Sequence, residues 1–263
     1  MTPQSVELQT QANLTRQPRW RFWTGAGVIL TAAALFAAFS LGHMQIVAST
    51  IGMEQYLGEG DRLPAALLMT SQLLKAAALM LAVWALLVFR KERGWASLGL
   101  VSVKPFWLIA GIVMGVLFVP AGVVITKTVV ALMPGWSGFT HSAFAFGDSI
   151  HWSTRAGFLV LTLALTPFVE EVFFRGFMFQ WMAGHRPLWV AAIMSSVIFG
   201  VMHILPPQAI NAALLSLALI LIFRASGSLW PAIIAHATNN TLGIVLGSMA
   251  AEGRLPVWLT PPG

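Results

Sequence analysis

Long uncharged apolar runs are the feature that most constrains what this chain can fold into. A helix needs about 20 apolar residues to cross a membrane, because it rises about 1.5 Å per residue and the hydrocarbon core is about 30 Å thick. Seven runs reach or approach this length, at 22–41, 64–89, 106–133, 156–179, 187–205, 208–223 and 229–251. The sixth of these runs is short for a full crossing. The sequence therefore predicts an all-α, polytopic transmembrane helical bundle of about seven spans.

The composition excludes most other classes of protein. The chain is 57% hydrophobic and 9% charged, whereas a soluble domain is roughly 45–50% apolar and about 25% charged. A soluble enzyme and a disordered chain are thereby excluded, and continuous rather than alternating apolar runs exclude an outer-membrane barrel. The sequence contains no cysteine, which removes disulfides, thiolate metal sites and cysteine nucleophiles.

The basic residues predict an orientation. The formal net charge is +6, and the Lys and Arg residues concentrate between the apolar runs, where they anchor to lipid headgroups rather than to nucleic acid. Nine of them fall in one alternate set of flanks and connections and three in the other. By the positive-inside rule we expect a multi-pass protein of the cell inner (plasma) membrane, with its N-terminus in the cytoplasm.

Charged residues inside the apolar runs are candidates for function, because burying a charge in a bilayer costs several kcal/mol. Lys127 is close enough to the end of its run to extend its ammonium to the interface. Lys75 lies deeper in its run. It could pair with a carboxylate or contact the carbonyl oxygens of a neighbouring helix, and we assign it no role from the sequence. The remaining three are Glu170, Glu171 and Arg175.

Two adjacent carboxylates deep in an apolar run suggest a division of roles. Glu171 and Arg175 are four residues apart, so on a helix their side chains meet as an ion pair. Glu170 points about 100° away and is left without that partner. We therefore expect Glu171 and Arg175 to brace the site and Glu170 to do chemistry. A purely architectural buried triad is the alternative.

Two further polar blocks lie in later runs. His203 closes the fifth run, and His236 and Asn240 lie one turn apart on one face of the seventh. A lone histidine on an apolar helix is more often a core residue, but polar groups in three of the last four helices favour a shared intramembrane site. Strict alternation of crossings, however, places His203 about 10 Å toward the opposite membrane face from Glu170 and His236.

Together these blocks resemble the CAAX prenyl protease type II family, the CPBP intramembrane glutamic endopeptidases that also include abortive-infection-like and bacteriocin-immunity proteins. The resemblance covers roughly residues 155–250. It rests on three motifs, Glu170-Glu171-x-x-x-Arg175, Phe199-x-x-x-His203 and His236-x-x-x-Asn240.

The resemblance implies roles for six residues. Glu170 and His203 would activate a water molecule, His236 and Asn240 would stabilise the oxyanion, and Glu171 and Arg175 would support them. It implies a metal-independent hydrolase that requires no cofactor. Its substrates would be membrane-associated proteins or peptides, including prenylated CAAX proteins.

Four parts of the chain are predicted. They are a cytoplasmic N-terminal tail (1–21), N-terminal transmembrane helices without a motif (22–154), the CAAX-protease-like catalytic core (155–251) and a C-terminal tail (252–263).

Three alternatives stay open at this point. Glu170, His203 and His236 could form a two-histidine, one-carboxylate zinc site, although the charge of Arg175 opposes a cation there. A non-catalytic immunity or scaffold protein of the same family is the second. A proton-coupled carrier is the third, but the chain shows no inverted repeat.

Overall fold

The computed structural model describes residues 20–50, 52, 65–85, 94–133, 152–203, 206–251 and 253–256. Within these ranges every regular element is a helix, which confirms the all-α bundle. A short 3₁₀ helix at Trp95–Leu98 precedes α3. The seven long helices are α1 (Phe22–Thr50), α2 (Ala65–Val83), α3 (Pro105–Leu132), α4 (152–183), α5 (Leu188–Val201), α6 (Pro206–Ser226) and α7 (Leu229–Ala251).

Each of the seven predicted runs forms a helix, but fewer helices than expected are suited to crossing a membrane. Among the described residues four helices are long and apolar enough, at Phe22–Ser49, Pro105–Leu132, Ala156–Ala183 and Pro206–Ser226. The chain is thus a multi-pass membrane protein, with fewer full-length spans among the described residues than the seven predicted.

Two boundaries differ from the sequence prediction. The sixth run is a full-length helix of 21 residues rather than a short one, because it extends beyond 208–223 at both ends. The fifth run, by contrast, is a helix of only 14 residues that ends at Val201. At about 1.5 Å per residue this helix is about 21 Å long, which is less than the thickness of the hydrocarbon core.

The fourth helix is built from alternating α and π turns. Pro167 directly follows the first π-helical piece, and its missing N–H interrupts the regular α-helical hydrogen bonds at this point. π turns within α-helices are rare and often accompany functional sites. The five pieces are Trp152–Val160, Leu161–Leu165 (π), Thr166–Glu171, Val172–Phe179 (π) and Gln180–Ala183.

Helix packing places α2, α5 and α7 against α4. The second helix packs on α1 and along α4, and α7 packs on both α3 and α4. The approach of α3 to α7 is close, because Gly111 and Gly115 are buried. A Cβ at either glycine would come within 2.5 Å of a carbonyl oxygen of α7, that of Pro231 or of Ala235. The position of α7 therefore depends on glycine at these two points.

Parts of the sequence prediction fall outside the described residues. They include residues 1–19 of the N-terminal tail, most of the C-terminal tail, and half of the basic residues on which the orientation rests. The cytoplasmic N-terminus, the inner-membrane location and the four-part division of the chain stay predictions.

Candidate active site

The two adjacent glutamates of α4 lie in the interior of the bundle. Glu170 is 3% exposed, and both Glu171 and Arg175 are fully buried. Nη1 of Arg175 lies 2.7 Å from Oε1 of Glu171, so the ion pair expected from the four-residue spacing is confirmed. The pair crosses a π-helical stretch, yet the two side chains still meet.

Glu170 has an ionic partner other than Arg175. Nζ of Lys75 lies 2.6 Å from Oε1 of Glu170. Of the two contacts left open for Lys75 by the sequence, the structure shows the one with a carboxylate, and Lys75 therefore belongs to the site although the sequence assigned it no role. The two residues are 95 positions apart and meet because α2 packs along α4. Helical spacing within one segment carries no information about such a contact.

His236 lies between the two carboxylates. Its Nδ1 is 2.8 Å from Oε1 of Glu171, and its Nε2 is 3.9 Å from Oε2 of Glu170. Because an ionised carboxylate only accepts hydrogen bonds, Nδ1 carries a hydrogen and donates a hydrogen bond to Oε1 of Glu171. This contact turns Nε2 toward Glu170. One buried oxygen of Glu171 thus holds both Arg175 and His236.

Phe199 forms the apolar floor of the site. The guanidinium carbon of Arg175 lies 4.3 Å from the centroid of its ring, a cation–π geometry. The rings of His203 and His236 lie 5.0 Å and 5.9 Å from the same centroid. In the sequence Phe199 is only a motif position, and its contact with His236 on another helix was not predicted.

His203 belongs to the same cluster. It is half-buried, its Nδ1 lies 2.9 Å from the carbonyl oxygen of Phe199, and it is close enough to Glu170, Lys75 and His236 to interact electrostatically with each. The expected offset toward the opposite membrane face was therefore wrong. The cause is the short fifth helix, whose 14 residues rise only about 21 Å, less than the roughly 30 Å that the expected full crossing assumed.

Asn240 lies one helical turn after His236 and faces α4. Its Nδ2 donates to the carbonyl oxygen of Thr162 at 3.3 Å. Thr162 lies in the first π-helical piece, where backbone carbonyls depart from the regular α-helical pattern. A primary amide has a second N–H, so Asn240 can hold this contact and still donate to a substrate.

The charges of the cluster balance. Two carboxylates, Glu170 and Glu171, are each bonded to one cation, Lys75 and Arg175 respectively. Within the part of the chain that the structure describes, no three His, Asp or Glu side chains are arranged to hold a metal ion. The ammonium of Lys75 and the guanidinium of Arg175 beside the carboxylates would also repel a divalent cation.

Residues 152–242 match the family model of the Rce1-like type II CAAX prenyl endopeptidases. This segment belongs to the type II CAAX prenyl endopeptidase family. The match confirms the family suggested by the three motifs, and a family of proteases makes a peptide-bond hydrolase the expected class of enzyme. Neither a curated protein nor a solved structure matches the chain significantly.

The CAAX endopeptidase segment covers about a third of the chain and contains all six residues singled out by the motifs. Lys75 lies outside it. The site thus combines a family segment, which supplies both glutamates and both histidines, with a cation from the N-terminal helices.

Proposed function

We propose that this protein is a metal-independent intramembrane endopeptidase of the glutamate type. Its substrates would be membrane-associated proteins or peptides, including prenylated CAAX proteins. The observation that carries the proposal is the buried arrangement of Glu170, Glu171 and His236, in which one imidazole contacts or faces both carboxylates. The family match of the same segment supports a peptidase.

Glu170 is the proposed general base, with His203 beside it. One oxygen of Glu170 is bonded to Lys75, and the other faces Nε2 of His236 at 3.9 Å. Two groups at that separation can contact the same water molecule. As the water oxygen attacks the peptide carbonyl carbon, Glu170 accepts the water proton. The hydrolytic step then needs no covalent enzyme intermediate.

His236 and Asn240 are the proposed donors to the oxyanion. They lie on one face of α7, a turn apart, which suits two hydrogen bonds to one tetrahedral oxygen. With Nδ1–H already bonded to Glu171, the ring donates from Nε2 only as an imidazolium. When the intermediate collapses, the C–N bond breaks and the proton held by Glu170 passes to the leaving amine.

Glu171 and Arg175 are the proposed supports of this machinery. Glu171 orients the His236 ring through Nδ1, and Arg175 supplies the charge that Glu171 requires in a buried setting. The guanidinium rests on Phe199, which also contacts the ring of His203. The support therefore reaches both histidines.

The test is mass spectrometry of new peptide termini in membranes from cells that express the wild type or Glu170→Gln. We expect termini that appear only with the wild type, while the amount of folded, detergent-extracted protein is the same for both. The control Lys127→Gln removes another intramembrane charge, on α3, and should leave the termini unchanged. A chelator should not abolish cleavage.

Other outcomes would contradict the proposal. Equal cleavage by Glu170→Gln would refute the glutamate mechanism. Loss of cleavage on chelation, with recovery on adding zinc, would favour the zinc protease. Identical termini with wild type and variant, across a deep data set, would favour the non-catalytic immunity or scaffold protein.

A further inference from the structure

We propose that Lys75 is a positioning residue for Glu170, which holds this carboxylate ionised and directs one of its oxygens to the reaction. The inference rests on the proposed function, because it assigns Lys75 a part in the same hydrolytic step. It brings a residue of α2, outside the family segment, into the site.

The contact between the two residues is specific to one oxygen. Nζ of Lys75 lies 2.6 Å from Oε1 of Glu170, which is a short, charge-assisted hydrogen bond. The other oxygen, Oε2, is the one that faces Nε2 of His236. Lys75 therefore fixes the rotation of the Glu170 carboxylate, and Oε2, which Lys75 does not contact, is turned toward His236.

The charge of Lys75 matters as much as its geometry. A general base must be ionised before it can accept a proton, and a carboxylate that is 3% exposed is costly to ionise without a cation. Arg175 is bonded to Glu171 and is committed to that partner. Lys75 supplies the charge for Glu170, so that both glutamates of the pair can be carboxylates at once.

The surroundings of Lys75 offer little competition for its ammonium. Its side chain is 18% exposed and borders a narrow, closely packed cleft between α2 and α4. Among the described residues that line this cleft, Lys75 and Glu170 are the only charged ones. The lining consists of Gln72, Lys75, Ala76, Leu79, Thr166, Val169 and Glu170.

A purely structural ion pair would have a different signature from a positioning one. Loss of a structural pair lowers the amount of folded protein and leaves the kcat of the folded fraction unchanged. Loss of a positioning residue lowers kcat in the folded fraction and leaves KM unchanged, because Lys75 acts through Glu170 and not through the substrate. Restoring a positive charge should restore kcat.

The experiment measures kcat and KM for the purified full chain in liposomes, with an internally quenched farnesylated CAAX peptide as the probe. We expect Lys75→Met to lower kcat by about 10²-fold or more, the range of general-base catalysis, with KM unchanged. Lys75→Arg should recover most of the kcat. The matched control Lys127→Met should behave as the wild type. Gel filtration measures the folded fraction of each variant.

The outcomes separate this proposal from the proposed function. A Lys75→Met protein with the kcat of the wild type, beside an inactive Glu170→Gln, overturns the role of Lys75 alone. A wild type that cleaves neither the peptide nor any membrane protein overturns the proposed function and this role with it. If Lys75→Met does not fold, Lys75→Gln replaces it. A kcat of Lys75→Arg above that of Lys75→Gln then supports the proposal, and equal values overturn it.

Discussion

The close contact between α3 and α7 predicts that a single methyl group, placed far from the reacting atoms, disrupts the site. In Gly115→Ala the new Cβ would lie 2.5 Å from the carbonyl oxygen of Ala235 and 2.7 Å from Cβ of Thr238. To reach the 3.4 Å of an ordinary contact, the two close-packed helices must separate by about 0.9 Å. Ala235 directly precedes His236, so the histidine moves with it.

The expected consequence is a loss of activity. A displacement of about 1 Å in a catalytic group can cost about 10²-fold in rate, so we expect kcat/KM of Gly115→Ala to fall by about that factor. Gly243→Ala on α7 is the matched control, because a Cβ there meets nothing within 4 Å and alanine favours the helix. The assay is cleavage of the farnesylated peptide by the folded fraction. Equal activity of both variants would refute the argument that α3 positions α7.

Two other substitutions separate support from chemistry. Arg175→Ala leaves the buried Glu171 without its guanidinium, so we expect a loss of about 3–5 kcal/mol in the free energy of unfolding, measured by thermal unfolding in detergent against Arg175→Lys. An unfolding temperature equal to that of the wild type would show that this ion pair does not stabilise the fold. Asn240→Ala should lower kcat by about 10²–10³-fold, as for other oxyanion donors, without loss of folded protein. Its neighbour Asn239 points about 100° away on α7, so equal losses in Asn239→Ala and Asn240→Ala would contradict the oxyanion role.

The features that could be predicted from the sequence are the local ones. All seven apolar runs form helices, because a run of apolar residues in a membrane must satisfy its backbone hydrogen bonds internally. The Glu171–Arg175 pair follows from a four-residue spacing, which the structure keeps even across a π-helical stretch. The alignment of His236 and Asn240 on one face of α7 has the same origin.

The features that could not be predicted depend on how separate helices pack. Lys75 meets Glu170 across 95 residues, and spacing alone gives a buried lysine several equally reasonable partners. The depth of His203 depends on where α5 ends, and a run of apolar residues at 187–205 does not show that the helix stops at Val201. Phe199 contacts His236 because α5 and α7 pack together there, whereas its contact with His203 is a local one, four residues along the chain.

The family segment by itself therefore does not define the site. The described residues of 152–242 include two buried carboxylates, Glu170 and Glu171, and one buried cation, Arg175, which is bonded to Glu171. The second cation comes from α2, and the contact that sets the position of His236 comes from α3. Because a buried carboxylate is costly without a cation, the N-terminal helices must supply the cation for Glu170 that the family segment lacks. Residues 22–154 carry no motif, yet they contribute both charge balance and helix position to the site.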